Sequence, residues 1–237
     1  MKFPPTAQEC RISEIFSSLQ GEGTRVGEKH IFVRFEECHI HCEYCDELDK
    51  IGKPYTQESV IQEIQNLEKN SGPHSFVSLT GGEPLIYLTF LKPLMKKLKE
   101  LGFKTYLETD GILYQALREV LDLCDVIAMD MKPPSVTKEK DFREQHRRFL
   151  EIATKRETFV KIVLSKEIIS EEFFDLISIV KDLAPKTPVI LQPISTEIEG
   201  HEDYELMELL EDLQQKAMKQ IQDVRIVPRF HKILKIR

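Results

Sequence analysis

Tryptophan is absent from this 237-residue chain, and no apolar run approaches the length that spans a bilayer. A membrane-embedded protein is therefore excluded as an expectation. Basic residues are in deficit, 33 Lys and Arg against 40 Asp and Glu, for a net charge of −7. That argues against nucleic acid as a partner, because phosphate binding needs clustered Lys and Arg. The start, Met1-Lys2-Phe3-Pro4-Pro5, has no apolar leader, so a cytoplasmic location is expected. Five cysteines in a reducing compartment do not make a disulfide framework. There is no Gly/Ser linker, repeat or low-complexity segment, and a single domain over residues 1–237 is expected.

What is present is an alternation of short β-rich apolar runs with longer amphipathic stretches. Strands are predicted at 31–35, 76–79, 104–108, 126–129, 159–164, 188–192 and 224–227. Helices are predicted from a Thr56 cap to about residue 69, then over 89–101, 112–123, 138–153, 170–183 and 203–221, with Ser170 as a further cap. This order implies an α/β protein with a parallel sheet and right-handed crossovers, either an open doubly wound sheet or a barrel. Both place chemistry at the C-terminal ends of strands. Four polar motifs fall there: Thr80-Gly81-Gly82-Glu83-Pro84, Glu108-Thr109-Asp110-Gly111, Asp130-Met131-Lys132-Pro133-Pro134-Ser135 and Gln192-Pro193-Ile194-Ser195.

Three of the cysteines, Cys38, Cys42 and Cys45, crowd into the loop 38–45 after the first predicted strand. Three soft thiolates in eight residues suit one metal centre. A zinc ion would take His39 or His41 as its fourth ligand, giving a structural site in a non-catalytic binding protein. A cubane cluster would leave one iron open to chelate a small molecule. The position at the active end of the sheet, and the lack of a second Cys-x2-Cys pair, favour the cluster. Cys10 and Cys124 stand alone, and Cys124 lies in an apolar run that suits a buried thiol.

Cys38-x3-Cys42-x2-Cys45, with Tyr44 before the last cysteine and Gly81-Gly82-Glu83-Pro84 after the second strand, resembles the radical S-adenosylmethionine superfamily. The resemblance narrows through 14–23, Phe32-Val33-Arg34-Phe35, Glu108-Thr109-Asp110-Gly111, Lys132-Pro133-Pro134-Ser135 and 224–232 to the 7-carboxy-7-deazaguanine synthases. It implies a partial (β/α)6-type parallel barrel carrying a 4Fe–4S cluster on Cys38, Cys42 and Cys45. One-electron reduction of bound S-adenosylmethionine would give a 5′-deoxyadenosyl radical. The reaction is that of a carbon–nitrogen lyase: 6-carboxy-tetrahydropterin becomes 7-carboxy-7-deazaguanine with loss of ammonia, toward queuosine. A radical activating enzyme acting on another substrate, or on a protein glycyl radical, is the alternative.

The same resemblance assigns the cofactor to Tyr44, Cys45, Asp46, Gly82, Glu83, Asp130, Lys132 and Gln192. Gly82 would let the cofactor's amino group approach the backbone, Asp130 and Lys132 would lie by the ribose, and Gln192 by the adenine. The substrate falls to Leu19, Gln20, Gly21, Glu22, Arg34, Thr80 and His231. On chemical grounds Glu22 suits the pterin's N–H donors, Arg34 suits a carboxylate, and His231 is the catalytic candidate for binding substrate or protonating the leaving nitrogen. Magnesium, an electron donor such as flavodoxin or ferredoxin, and a homodimer are further implications. Two positions depart from the family pattern. Glu47 stands where a hydroxyl usually binds magnesium, and is expected to serve as its ligand. Arg229 replaces a usual Gln near the end.

Overall fold

The computed structural model describes residues 9–47, 50–194 and 203–236. Ser195, the last residue of the fourth polar motif, lies outside them. The elements run β1 (Glu9–Leu19), β2 (Lys29–Phe35), β3 (Lys53–Thr56), α1 (Gln57–Ser71), β4 (Phe76–Gly81), α2 (Leu88–Glu100), β5 (Thr105–Thr109) and α3 (Tyr114–Val120). They continue with β6 (Val126–Met131), α4 (Pro134–Thr137), α5 (Arg143–Ala153), β7 (Glu157–Leu164), α6 (Ser170–Leu183), β8 (Val189–Pro193), α7 (Tyr204–Ala217), β9 (Val224–Ile226) and α8 (Phe230–Ile233). The sheet order is β3-β1-β2-β4-β5-β6-β7-β8-β9. From β2 onward every pairing is parallel, and β1 and β3 add an antiparallel border.

The parallel strands, β2 and then β4 to β9, lie in chain order, and this decides between the two architectures left open by the sequence. A doubly wound sheet reverses direction partway; this one does not, and its helices collect on one face. Alternate strand residues show it. Leu107, Ile127, Met129, Val160, Ile162 and Leu191 join the main core with Val60, Leu94, Phe149, Phe173 and Leu210 of the helices. Their neighbours Tyr106, Val126, Ala128, Phe159 and Ile190 form a separate apolar floor on the opposite face, as the two-residue period of a strand requires. The edge strands β3 and β9 are not paired to each other. The sheet is an open, partial barrel.

Local sequence explains most boundaries. The Thr56 hydroxyl accepts from the Ser59 N–H at 3.2 Å and starts α1. Helix α2 buries Phe90, Leu91, Leu94, Met95 and Leu98, each contributing about 1.5–3 kcal/mol. Four expectations need correction. The predicted 138–153 helix begins at Arg143, because Lys138 is left-handed (φ 61°) and closes the short α4. The predicted 112–123 helix shortens to α3 and ends in a 3-10 turn at Leu121–Leu123. The predicted 203–221 helix ends at Ala217. Ser170 is the first helical residue rather than the cap, a place taken by Ile169. β1 and β3 were not foreseen: β1 carries three Ser and two Glu in its eleven residues, with an irregular burial pattern that hides a strand's alternation.

Candidate active site

A strand buried on both faces of a sheet is ordinarily apolar along its whole length. Here the inner face changes character two residues past the apolar floor: Tyr106 gives way to Glu108, Ala128 to Asp130, Phe159 to Lys161 and Ile190 to Gln192. These side chains, with Thr80 of β4, ring the C-terminal end of the sheet and line a cleft. One part of that cleft is walled by Leu19, Gln20, Gly21, Glu22, Arg34, Tyr44, Cys45, Asp46, Glu47 and His231. An adjoining part is lined by Cys38, Cys42, Cys45, Gly82 and Lys132. Glu22, Tyr44, Cys45, Thr80, Glu108, Asp130 and Lys161 face both.

The cluster loop packs its cysteines into an apolar cup with Ile40, Ile112 and Phe142. Burial pushes the Cys38 thiol up to about 12 and Cys42 up to about 11. Burial outweighs the nearby Lys132 ammonium, so both are neutral thiols, and a metal centre is what would draw thiolates here. Among the described residues no three His, Cys, Asp or Glu side chains stand close enough together to hold a metal ion, so the sulfurs share a cup without converging on one point. Soft donors from one loop, facing one cavity, fit a cluster with an open iron. The cofactor's binding surface also fits: Asp130 Oδ1 and Gln192 Oε1 are buried acceptors with no hydrogen-bond partner. Each such orphan costs about 1–3 kcal/mol until a donor arrives, and ribose hydroxyls and an adenine amino group are donors of the right kind.

Two residues of the Gly-Gly-Glu turn do something other than expected. Glu83 lies outside both cavities. Its carboxylate is fully buried and accepts from Thr109 Oγ1 at 3.0 Å, the Asp110 N–H at 2.8 Å and the Leu85 N–H at 3.0 Å. It ties the end of β4 to the end of β5, so its side chain is engaged within the protein. Gly82 does line the cofactor side, but the cluster loop is what excludes a side chain there. A Cβ at Gly82 would sit 2.0 Å from the Glu37 carbonyl oxygen and 2.9 Å from the Cys38 nitrogen. Gly82→Val is therefore expected to unseat the loop and lose iron as well as cofactor binding. Iron and sulfide analysis after reconstitution checks it; full iron with only cofactor affinity lost would show the loop to be independent of this turn.

The charged groups form an alternating series. Lys161 Nζ donates to Glu22 Oε2 at 2.7 Å and lies 3.6 Å from Asp130 Oδ2; Lys132 Nζ donates to that same oxygen at 2.6 Å. Lys132 also reaches the Tyr44 hydroxyl at 3.4 Å. Gln20 Nε2 and Thr80 Oγ1 donate to the two oxygens of Glu108, at 3.0 and 2.8 Å. Despite burial, Lys161 and Arg229 hold the Glu22 carboxyl below its ordinary range. Burial, with Glu22 nearby, raises Glu108. Arg34 Nη1 pairs with Glu14 Oε2 at 2.6 Å and its Nε approaches Glu47 Oε2 at 3.4 Å. The C-terminal segment closes the cleft: Arg229 and Lys232 both reach Asp46 at 2.9 Å, and the Phe230 N–H donates to the Gly21 carbonyl at 3.0 Å.

Sequence reasoning passed over Lys161 and His146. Lys161 had a signal: it is the one charged residue in Phe159-Val160-Lys161-Ile162-Val163-Leu164, and a buried parallel strand has no use for a cation unless something pairs with it. His146 had none, sitting among polar residues of α5. Fully buried, it accepts the Lys132 N–H on Nε2 at 3.0 Å and donates from Nδ1 to the Gly111 carbonyl at 3.1 Å. Burial lowers it to about 4, so it is a neutral strut between the ends of β5 and β6. His39 Nε2 meets Asp110 Oδ2 at 2.6 Å and ties the cluster loop to β5.

Comparison with known proteins agrees with this geometry. Residues 19–148 match the family model described as a 4Fe-4S single cluster domain. The chain is 31% identical to the 7-carboxy-7-deazaguanine synthase of Geobacter sulfurreducens, across 95% of this chain and 97% of that protein. It is 34% identical to the enzyme of the same name from Methanopyrus kandleri, across 94% and 92%. Among solved structures, QueE from Escherichia coli superposes with a TM-score of 0.63 at 20% identity, over 94% of this chain and 95% of that one. TYW1 with a lysine-pyruvate adduct bound superposes with a TM-score of 0.58 at 14% identity, over 81% of this chain and 74% of that one, and both likenesses bear on the fold alone. From the cysteine loop, the polar ring at the strand ends and these matches together, the chain belongs to the 7-carboxy-7-deazaguanine synthase family of radical S-adenosylmethionine enzymes.

Proposed function

We propose that this chain converts 6-carboxy-tetrahydropterin into 7-carboxy-7-deazaguanine with loss of ammonia, as a carbon–nitrogen lyase using a 4Fe–4S cluster and S-adenosylmethionine. The observation that carries the reading is the adjacency of two cavities: one is lined by the cysteine loop, the other by Gln20, Glu22, Arg34 and His231, and Glu22, Tyr44, Cys45, Asp130 and Lys161 line both. Cluster and cofactor, when bound on Cys38, Cys42, Cys45, Asp130 and Gln192, would supply the one-electron start of the reaction. The protein's own groups do the rest. Glu22, kept ionised, accepts from the pterin's amino and ring N–H groups. Gln20 is fixed by Glu108 and by the Glu22 N–H, which donates to its Oε1 at 3.0 Å, so its free hydrogen-bonding edge faces the ring. Arg34 exchanges part of its pairing with Glu14 and Glu47 for the substrate carboxylate. His231, lowered from its ordinary range by burial, is neutral near pH 7 and takes or returns a proton at the departing nitrogen.

Magnesium has one donor of suitable chemistry. Glu47 Oε2 is buried and accepts no hydrogen bond, while Oε1 takes Lys50 Nζ at 2.8 Å. That Oε2 oxygen, whose cationic neighbour is Arg34 Nε at 3.4 Å, lies beside the substrate space and suits an ion that takes one or two carboxylates and completes its shell with waters and substrate oxygens. A homodimer, and flavodoxin or ferredoxin as electron donor, belong to the same reading; exposed Ile233 and Leu234 on the C-terminal segment offer apolar area for a partner. No helix among the described residues is long and apolar enough to cross a membrane, which accords with work in the cytoplasm.

Anaerobic turnover of 6-carboxy-tetrahydropterin, followed by mass spectrometry of the deazaguanine and assay of ammonia, tests the function. Unaltered pterin in the presence of cofactor and reductant would contradict it. Magnesium should stimulate the parent and Glu47→Thr but not Glu47→Ala; equal stimulation of all three would remove Glu47 from the metal's shell.

A further inference from the structure

Lys161 is a half-buried ammonium that lines both cavities, and neither the family motifs nor the cluster loop accounts for it. Its side chain is 16% exposed, and those of its partners Glu22 and Asp130 are 20% and 13% exposed. An unpaired charge at that depth is costly, so each of the three is tolerable only because of the others. The geometry is asymmetric: 2.7 Å to Glu22 and 3.6 Å to Asp130. Lys132 makes up the difference on Asp130, leaving that residue's Oδ1 without a partner.

We propose that Lys161 is a positioning residue that fixes Glu22 as an ionised, acceptor-only carboxylate for the substrate and holds Asp130 beside it for the cofactor. The inference rests on the reading of Glu22 as a substrate ligand. A carboxylate that must accept from two N–H donors fails when protonated, because one oxygen then carries a proton of its own. Glu22 stands in a setting that favours protonation: it lines the cleft beneath the C-terminal segment, and Glu108 of β5 and Asp130 of β6 add like charge. Opposing them are Lys161 from β7 and Arg229 and His231 from the C-terminal segment, with Lys161 the largest favourable contribution and the one in hydrogen-bond contact. Gln20 meets Glu22 at its backbone N–H and not at its carboxylate. Removing Lys161 leaves burial and two like charges to push Glu22 upward, against the Arg229 guanidinium.

The sign follows. With Lys161 present, Glu22 is ionised throughout the neutral range, and substrate affinity is flat as pH falls from 8 toward 6. Without it, the Glu22 carboxyl moves upward, and affinity declines as pH falls, approaching tenfold per unit below the raised value. A role confined to packing would weaken binding equally at every pH.

The experiment measures equilibrium binding of the fluorescent, unreactive analogue 6-carboxypterin to the reconstituted protein between pH 6 and 8.5. It compares the parent, Lys161→Met, Lys161→Arg and the double variant Lys161→Met/Glu22→Gln, which leaves no unpaired carboxylate and guards against a single variant that fails to fold. The parent profile also reports whatever His231 contributes. The expected result is a flat parent, a steep acid-side loss in Lys161→Met, a flat profile in Lys161→Arg, and weak, pH-independent binding in the double variant. A parent that binds and a Lys161→Met profile parallel to it would overturn the role of Lys161 while leaving the pterin site intact. A parent that does not bind the analogue at any pH would overturn the pterin site itself, and this inference with it.

Discussion

Cys38→Ala, Cys42→Ala and Cys45→Ala are each expected to lose the iron–sulfur cluster and reduce turnover to background, while Cys10→Ala and Cys124→Ala keep both. The loop places Cys38, Cys42 and Cys45 on the cavity that also carries Gly82 and Lys132. A cubane already lacking one protein ligand has none to spare. The other two thiols are occupied differently. Cys10 is buried in the main core, and Cys124 is buried with its Sγ donating to the Val120 carbonyl at 3.4 Å. They behave as small apolar side chains, and their replacement by Ala costs packing alone. Iron and sulfide counts, with the absorbance of the reconstituted cluster, decide the matter. Full iron retention in Cys42→Ala would refute the ligand set.

Gly21→Val is expected to lower kcat/KM by about a hundredfold, the scale on which a misplacement of about 1 Å penalises a positioned group. A Cβ at this position would lie 2.4 Å from His231 Nδ1 and 2.8 Å from the His231 backbone nitrogen. The same residue's carbonyl accepts the Phe230 N–H, so the substitution pushes on the segment that carries both His231 and Arg229. That segment belongs to the short α8 and the turns beside it, with Ile233 and Leu234 exposed, and its displacement should leave the thermal midpoint within a few degrees of the parent. Activity within twofold of the parent would show that His231 need not sit against Gly21. A large fall in thermal stability would show instead that the C-terminal segment is part of the core.

Much of this was legible in the sequence because two different periods carried it. The parallel strands announced themselves through runs such as Phe76-Val77-Ser78-Leu79 and Val160-Lys161-Ile162-Val163, and the motifs following them fell on one end of the sheet as such folds require. β1 was hidden for a physical reason. It lies next to the short edge strand β3, its residues from Ser13 to Ile15 are half-buried in succession, and the pairing with β2 shifts between Ile12 and Glu14. Alternation is lost where a strand bulges.

The site divided along the same line. Residues in contiguous motifs, such as Gln20 to Glu22 and Cys38 to Cys45, could be read locally. Relations between distant segments could not. That Glu83 would spend its carboxylate on Thr109 and Asp110, that Gly82 would be held bare by the Glu37 carbonyl, and that Lys161 would join Glu22 to Asp130 each depend on contacts across more than 20 residues of sequence. Lys161 shows what such a reading can still gain: a lone cation in an apolar strand is a question with a paired anion as its answer.

The central claim is that pterin and cofactor lie side by side in one cleft, divided by Lys161. A crystal structure of the reconstituted protein with S-adenosylmethionine and 6-carboxypterin tests it most directly. The account predicts the pterin's N–H edge on Glu22, its carboxylate on Arg34, and the cofactor's ribose on Asp130, with Lys161 Nζ still between the two carboxylates. A pterin bound away from Glu22 and Arg34, or a cofactor that makes no contact with Asp130, would contradict it.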